Sequence, residues 1–481
     1  MACCLLHGKG VWYNYASISI FTVQSDRCSM NSLEKRSIAA LASVYAMRML
    51  GLFMVLPVFM LLGEKLDGAT PALLGLAIGA YGLSQALLQI PFGMLSDRLG
   101  RKRLIFFGLL LFAAGSFIAG SSESVYGVIA GRALQGGGAI ASVLMALLSD
   151  LTREENRTKA MALVGMSIGI AFSASLFIGP LLGSVAGLSG IFYVTGVLAL
   201  VGIGLVYWVV PSPASQSQHL DTQPAREKLK QVLTDGRLLR LDFGIAALHL
   251  VLTSAFLVIP VLLRDQVGLA PTHHWWVYLS VMAVAFFAMV PFIIIGEKKR
   301  MMKQVLCGAV ATLTVSCMAL AELPHTLSVM WICLFFFFMA FNLLEASLPS
   351  LISKESPAAA KGTAMGAYST SQFLGAFVGG ALGGTLLQHF GVNGVFGLMV
   401  SVLVIWLGLA ITMKRPSHTS SFVVQLVDID GRGVSAVDHA LRGIAGVEDV
   451  VILADAGAAY LKVDKEQFDA ADLGQFTFVR P

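Results

Sequence analysis

The sequence predicts an all-α membrane protein: twelve transmembrane helices in two six-helix halves, followed by a small α+β domain of ferredoxin-like type. Three observations predict it. Of the 481 residues, 56% are hydrophobic and only 13% charged, about half the charged share of a soluble domain. Twelve apolar runs approach the ~20 residues that a spanning helix needs. The last stretch, residues 420–481, then changes to a soluble composition.

The predicted spans are 37–63, 72–95, 104–121, 124–149, 160–187, 190–210, 242–263, 275–296, 304–322, 326–352, 363–388 and 391–413. The loops between them are short, except for the polar linker 211–240, which divides the spans six and six. The organisation is therefore an N-terminal extension and start (1–36), a first half (37–210), the linker (211–240), a second half (241–414) and the tail (420–481). Residues 1–29 lack a clean apolar core and a small-residue cleavage site, so they do not read as a signal peptide. A sensible start stands at Met30.

Lysine and arginine counts orient the spans. Lys35 and Arg36 precede span 1. Arg98, Arg101, Lys102 and Arg103 follow span 2, and the linker carries Arg226, Lys228, Lys230, Arg237 and Arg240. On the other side stand Lys65 and Arg264. Both termini and the linker are expected in the cytoplasm. The halves also repeat: Pro91, Phe92 and Asp97 match Pro291, Phe292 and Glu297 at one offset, and LLSDLTREENRTKAM from Leu147 matches LISKESPAAAKGTAM from Leu351. Parallel six-span repeats are one way to build a secondary transporter, with a substrate site between them.

The tail reads as strand 421–427, helix 434–443, strands 447–454 and 458–464, helix 466–473 and a short strand at 476–479. The alternation in FVVQLV and YLKVD carries the strands, and the order suits a ferredoxin-like unit. The six cysteines are scattered and the tail has none, so no metal centre is expected, and no cofactor or nucleic-acid partner. No P-loop appears, which argues against ATP drive.

Ionisable residues inside a span cost at least ~2.5 kcal/mol and are functional candidates by default. Arg48 lies 12 residues past Arg36, about 18 Å of helix and near the midplane. It is a candidate for an anionic substrate group or for a proton relay; a structural pair with a carbonyl or buried acid is the plainer alternative. Glu345 is a candidate proton carrier, because desolvation favours the neutral form of a carboxyl; it also suits a structural pair with Arg48 or Arg132. His249 titrates in the useful range, although a lone histidine on an apolar helix is more often simply hydrogen-bonded. Gln85 and Gln89, one turn apart, and Gln372 on span 11 fill out the substrate or proton pathway.

The stretch GMLSDRLGRKRLI from Gly93 closely resembles the loop 2–3 signature of the major facilitator superfamily. Gly93, Leu95, Asp97, Arg98, Gly100, Arg101 and Lys102 are in register. GRALQGGGAI, with Arg132 and Gln135, resembles that family's span 4 motif. Gly179, Pro180 and Gly183 resemble the span 5 motif of its antiporter branch, with Ser184 in place of the last glycine. RMLGLFMVLP, YSTSQFLG and the added tail are similar to the YajR-type inner-membrane transporters of bacteria. The resemblance implies a proton-driven exporter of a small organic or drug-like molecule, working by alternating access as a monomer in the bacterial inner membrane. An importer or uniporter of the same fold, or a membrane sensor, is the alternative; a membrane hydrolase lacks any catalytic set. Gly93, Asp97, Arg98, Gly100, Arg101 and Arg132 are implied as the gating set.

An acid at that helix end needs a partner. Arg101, Arg132 and a helix N-terminus of the other half are all open to Asp97; the resemblance implies the last, when the outside gate is open. Arg132 is expected to face Asp97 or the cavity. The loop cations also suit anionic lipid headgroups.

Overall fold

The computed structural model describes residues 30–211, 225–357, 360–414, 419–426, 433–453, 457–464, 467–476 and 479. The expectations for residues 1–29 and for linker residues 212–224 lie outside the described residues.

Ten helical runs are long and apolar enough to cross a membrane. Two of them, Lys159–Val209 and Lys361–Ile411, are 51 residues long. Each contains one glycine in the left-handed region, Gly187 (φ 66°) and Gly391 (φ 64°), and so folds into two spans. The described residues therefore hold twelve spans. Gly187 and Gly391 are separated by the same offset as the Leu147 and Leu351 repeats, so the two halves turn at equivalent places.

Span 1 comprises α1 (Ser32–Phe53) and α2 (Leu56–Gly63), and span 2 is α3 (Pro71–Leu99). Span 3 is α4 (Arg101–Ser121); span 4 comprises α5 (Val125–Gly137) and α6 (Ala141–Asp150). Spans 5 and 6 form α7 (Glu154–Gly204), which ends in a π-turn, Leu205–Val209. The linker contributes the short helix α8 (Ala225–Thr234). Spans 7 to 10 are α9 (Gly236–Asp265), α10 (His274–Lys298), α11 (Met302–Glu322) and α12 (Leu327–Glu355); α13 (Lys361–Ile411) holds spans 11 and 12.

Span 1 begins five residues before its predicted edge. Asn31 caps it: its side chain accepts from Glu34 N (2.7 Å), while Glu34 accepts from Asn31 N (3.0 Å). Glu34 also receives the backbone and guanidinium of Arg153, which ties the start of span 1 to the start of span 5. Span 7 likewise starts inside the predicted linker, because Asp235 caps Arg237 N at 2.8 Å.

Spans 1, 4 and 7 are the most enclosed of the ten helical runs, with 72%, 67% and 89% of their apolar windows buried. They form the inside of the bundle. One end of the bundle, the basic end, carries the Lys/Arg-rich loops. Toward the other end the halves meet closely. A Cβ on Gly79 would stand 2.8 Å from the Phe377 carbonyl, and one on Gly384 2.6 Å from the Pro71 carbonyl. Spans 2 and 11 thus touch backbone to backbone, as small residues allow. Phe172 of span 5 packs on Phe341 of span 10, with ring centroids 5.6 Å apart. Toward the basic end, Gly165, Gly169, Gly362 and Gly366 have open space where a Cβ would stand. The close contacts between the halves thus gather toward the end away from the basic loops.

In the tail, β1 (Thr419–Gln425), β2 (Val447–Leu453) and β3 (Ala458–Asp464) form an antiparallel sheet in the order β1-β3-β2. Helix α14 (Val434–Arg442) covers one face through Val437 and Leu441. A single bridge, Leu426 to Val479, adds the start of a fourth strand beside β1. The predicted helix 466–473 is instead a 3-10 turn, Ala470–Gln475. So short a segment leaves most helical groups without partners.

Candidate functional site

In the first half, span 4 breaks at Gly138 (φ −76°, ψ 52°), whose carbonyl leaves the helical ladder and accepts from Ile140 N at 2.8 Å. Arg48 of span 1 uses it. Its Nη2 donates to Gly138 O (3.2 Å), Gln85 Oε1 (2.6 Å) and the Tyr81 hydroxyl (2.8 Å). Gln85 in turn donates to Gln89 Oε1 at 2.7 Å. Arg48 is buried, its guanidinium lies 5.9 Å from the Phe112 ring centroid, and its Nε and Nη1 have no acceptor. Arg48, Gln85 and Gln89 are thus one connected group, with Tyr81 as a member that sequence reasoning missed. Tyr81 lies four residues before Gln85, so the helical period could have found it.

Arg132 does not face Asp97 or the cavity. It is fully enclosed between spans 2 and 4, donating to the carbonyls of Ala77 (3.4 Å) and Ile78 (3.5 Å) and to Gln135 Oε1 (3.0 Å). Its guanidinium lies 5.1 Å from the Tyr81 ring centroid. The physical reason is depth: Arg132 is two turns into its helix from the end opposite to Asp97.

In the second half, three candidates from three different spans meet. Gln372 Nε2 contacts His249 Nε2 at 2.8 Å and donates to Glu345 Oε1 at 3.4 Å. An amide nitrogen only donates, so His249 Nε2 accepts, and Nδ1 carries the ring proton toward Ile245 O (3.3 Å). Glu345 Oε2 stands 3.9 Å from His249 Nε2. Glu345 is the partner of neither Arg48 nor Arg132. Among the described residues no lysine or arginine pairs with it. The cluster presents two acceptors, a ring nitrogen and a carboxylate, bridged by the amide of Gln372. Gly375 and Gly379 hold spans 7 and 11 together here, packed on the carbonyls of Ala246 and Leu250. Asp242, buried two turns before His249, was also missed; its spacing of seven residues was the available signal.

At the basic end, Gly100 (φ 93°) makes the turn between spans 2 and 3. Asp97 pairs with Arg101 (2.7 Å), the nearest of the three partners open to it, and is mostly exposed. Arg101 also binds Asp150 of span 4 at 2.7 Å. Arg98 is exposed, and a Cβ on Gly93 would lie 3.5 Å from Ser142 Oγ of span 4. In the second half, Glu297 and Lys354, the repeat equivalents of Asp97 and Asp150, pair directly at 2.8 Å. Gly179 and Gly183 stand where span 5 crosses the break in span 1. Gly179 packs on the Met54 carbonyl and Gly183 on Leu62 (3.1 Å). Pro180 lies between them inside the helix, and Ser184 donates to its own helix at Leu181 O (2.7 Å).

The family model of the Major Facilitator Superfamily matches residues 41–380. The chain is 46% identical over 442 residues to the inner membrane transport protein YajR of Escherichia coli (strain K12), covering 92% of this chain and 97% of that one. It is 28% identical over 349 residues to the multidrug resistance protein MdtH of Aeromonas salmonicida (strain A449), 72% of this chain and 86% of the relative. Among solved structures, a bacterial homolog of the human lysosomal transporter Spinster, inward-facing and occupied, superposes with a TM-score of 0.65 at 13% identity, over 80% of this chain and 97% of that one. Spans, repeats and motifs agree with these matches: the chain is a multi-pass inner-membrane transporter of small molecules and belongs to the major facilitator superfamily.

Proposed function

We propose that the chain is a proton-coupled exporter of small organic or drug-like molecules, with both termini in the cytoplasm. The observation that carries this reading is the His249–Gln372–Glu345 cluster. An acid and a base from two spans share the amide of Gln372, and among the described residues no lysine or arginine pairs with the acid. A carboxyl of this kind is electrically neutral when it carries a proton and costly when it does not. Its preferred position in the bundle therefore changes with protonation, which is what coupling requires.

With the basic end as the cytoplasmic end, the conformation is inward-open. Asp97 then rests on Arg101 and is away from the other half. The Asp97–Arg101–Asp150 group supports a latch that forms when the outer gate opens. Arg98 and Arg103, both exposed in the loop, suit anionic lipid headgroups. The relatives named as multidrug resistance proteins support a drug-like substrate and export. Arg48 favours an anionic or zwitterionic group on that substrate, because two of its nitrogens, Nε and Nη1, lack acceptors.

Transport direction is tested in inverted and right-side-out vesicles of opposite sidedness, with a panel of lipophilic cations and organic anions. Export driven by protons predicts accumulation in inverted vesicles only when their interior is acidic. Accumulation in right-side-out vesicles with an acidic outside would make the protein an importer and end this reading.

A further inference from the structure

Two groups of opposite charge stand at one level of the bundle, one in each half. On span 1, Arg48 lies five residues before Phe53; on span 10, Glu345 lies four residues after Phe341. Span 1 leaves the basic end and span 10 returns to it, so each group lies about 6–8 Å to the basic side of its ring. The rings are joined through Phe172 of span 5, with centroids 4.9 Å from Phe53 and 5.6 Å from Phe341. On the other side, Arg48 donates to the Tyr81 hydroxyl, and the Tyr81 ring lies 6.1 Å from Phe373 of span 11. Phe373 follows Gln372, whose amide donates to Glu345. Spans 1, 2, 11, 10 and 5 thus close a ring of contacts, with Arg48 in one half and Glu345 in the other.

Water reaches this level. The Glu345 side chain is 36% exposed although it sits inside a span, and Phe53, Asn342 and Gln372 are half-buried. The unsatisfied atoms define what is missing. Arg48 Nε and Nη1 have no acceptor, and Glu345 Oε2 has no donor. Buried polar groups are normally satisfied, because leaving them unpaired is costly. Among the described residues no acid pairs with Arg48, and no lysine or arginine pairs with Glu345. The titratable groups facing Glu345 are His249 of span 7, at 3.9 Å, and Tyr368 of span 11; span 5 offers it the ring of Phe172. An anion completes Arg48, a cation bearing N–H groups completes Glu345, and the rings suit an aromatic body between them.

We propose that the substrate is an aromatic zwitterion that bridges the two halves. Its anionic group takes Arg48 Nε and Nη1, and its protonated amine takes Glu345, where the amine and a proton exclude each other. The proposal rests on the proton-coupled reading and names the substrate class of that site. When the ammonium arrives, the Glu345 proton leaves to water; when the ammonium departs on the other side, a proton from water replaces it. No covalent bond to the substrate forms or breaks. A zwitterion has no net charge, so each exchange carries one positive charge inward with the proton. A substrate that is only an anion leaves Glu345 without a cation, and one that is only a cation leaves Arg48 without an anion. Each forgoes a charge-assisted bond.

The test uses the full chain in lipid bilayers and three probes on one biphenyl frame. The zwitterion has a carboxylate at one end and an aminomethyl group at the other; in the cation and the anion a methyl group replaces one of these. Calorimetric titration in two buffers of different ionisation enthalpy reads both affinity and proton release. The zwitterion is expected to bind at least about tenfold more tightly than the cation or the anion, and to release protons to the medium. Glu345→Gln is expected to abolish that release and to lower the zwitterion to the affinity of the anion, so binding persists at higher concentration. Arg48→Gln is expected to lower it to the affinity of the cation. Arg48→Lys, the second variant should Arg48→Gln fold poorly, is expected to weaken the anion and leave the cation unchanged. A cation or anion that binds as tightly as the zwitterion, with protons still released, would overturn the zwitterion and leave the coupling reading standing. So would binding of none of the three. Protons still released in Glu345→Gln would place the exchange on His249 and overturn the proposal. A preferred zwitterion that releases no proton would end the coupling reading, and with it the exchange at Glu345.

Discussion

Glu64 and Arg264 stand 200 residues apart in the chain and close a two-point ion pair between the halves, with Nη1 to Oε2 at 2.9 Å and Nη2 to Oε1 at 3.2 Å. The same spacing relates Pro91 to Pro291, so the two residues are repeat equivalents. They meet where a pseudo-twofold axis along the membrane normal would pass. Arg264 is further oriented by Asp265 at 2.6 Å. The amide of Ala72 donates to Gln388 beside them at 3.3 Å.

This pair holds the end opposite to the basic loops closed. Both side chains are partly exposed, so its net worth is about 0.2–1 kcal/mol. Glu64→Gln is expected to raise the population opened at that end by up to about fivefold. Distances between spin labels on the outer ends of spans 1 and 7 read this directly. The exchanged pair Glu64→Arg with Arg264→Glu is expected to return the wild-type distribution. An unchanged distribution in Glu64→Gln would show that the glycine contacts alone hold the closure.

Those contacts give a stronger lever. A Cβ on Gly380 would meet Gly75 O at 2.6 Å and Gly79 N at 2.8 Å, and both are backbone atoms that cannot turn aside. Gly380→Ala is expected to cost the closed arrangement about 1–3 kcal/mol, while the separate halves keep their packing. The check is thiol labelling, from outside, of a cysteine placed on the upper part of span 2: labelling is expected to speed up, with the unfolding temperature nearly unchanged.

Arg132 and Arg48 separate by role. Arg132 has its donors spent on Ala77, Ile78 and Gln135, so Arg132→Leu is expected to lower stability by about 2 kcal/mol or more, through the amide it abandons. Thermal unfolding in detergent reads this. Arg48→Lys keeps a charge but is shorter and lacks the Nη2 group that serves Tyr81, Gln85 and Gly138 together. It is expected to fold and to lose transport, measured as the accumulation described above.

In the tail, Arg442 clamps α14 to β2 through Asp438 (2.8 Å), Asp449 (3.2 Å) and the Val450 carbonyl (3.1 Å). Arg442→Ala is expected to destabilise the tail by about 1 kcal/mol, since all three side chains are partly exposed. Hydrogen exchange of the β2 amides is the measurement; exchange at the wild-type rate would contradict the clamp.

Local features were legible in the sequence. Gly187 ends one predicted span and Gly391 begins another, and both turn the chain there. Asp97 and Arg101 lie one turn apart and pair. The relation between spans was not legible. His249, Glu345 and Gln372 each stood out singly, yet nothing in their spacing told that three helices aim them at one point. Arg132 was misplaced for the same reason: hydropathy shows that a residue is inside a span, but not toward which neighbour it turns. Helix starts at Ser32 and Gly236 were set by the side chains of Asn31 and Asp235, which an apolar window passes over.

The central claim is that Glu345 couples a proton to substrate movement. The most direct measurement is the pH inside sealed vesicles holding the purified protein, recorded while the panel of substrates is added, for wild type and Glu345→Gln. Substrate-induced proton movement is expected in wild type and none in Glu345→Gln, with binding of the same substrate retained. Substrate movement without any proton movement in wild type would contradict it and make the protein a uniporter.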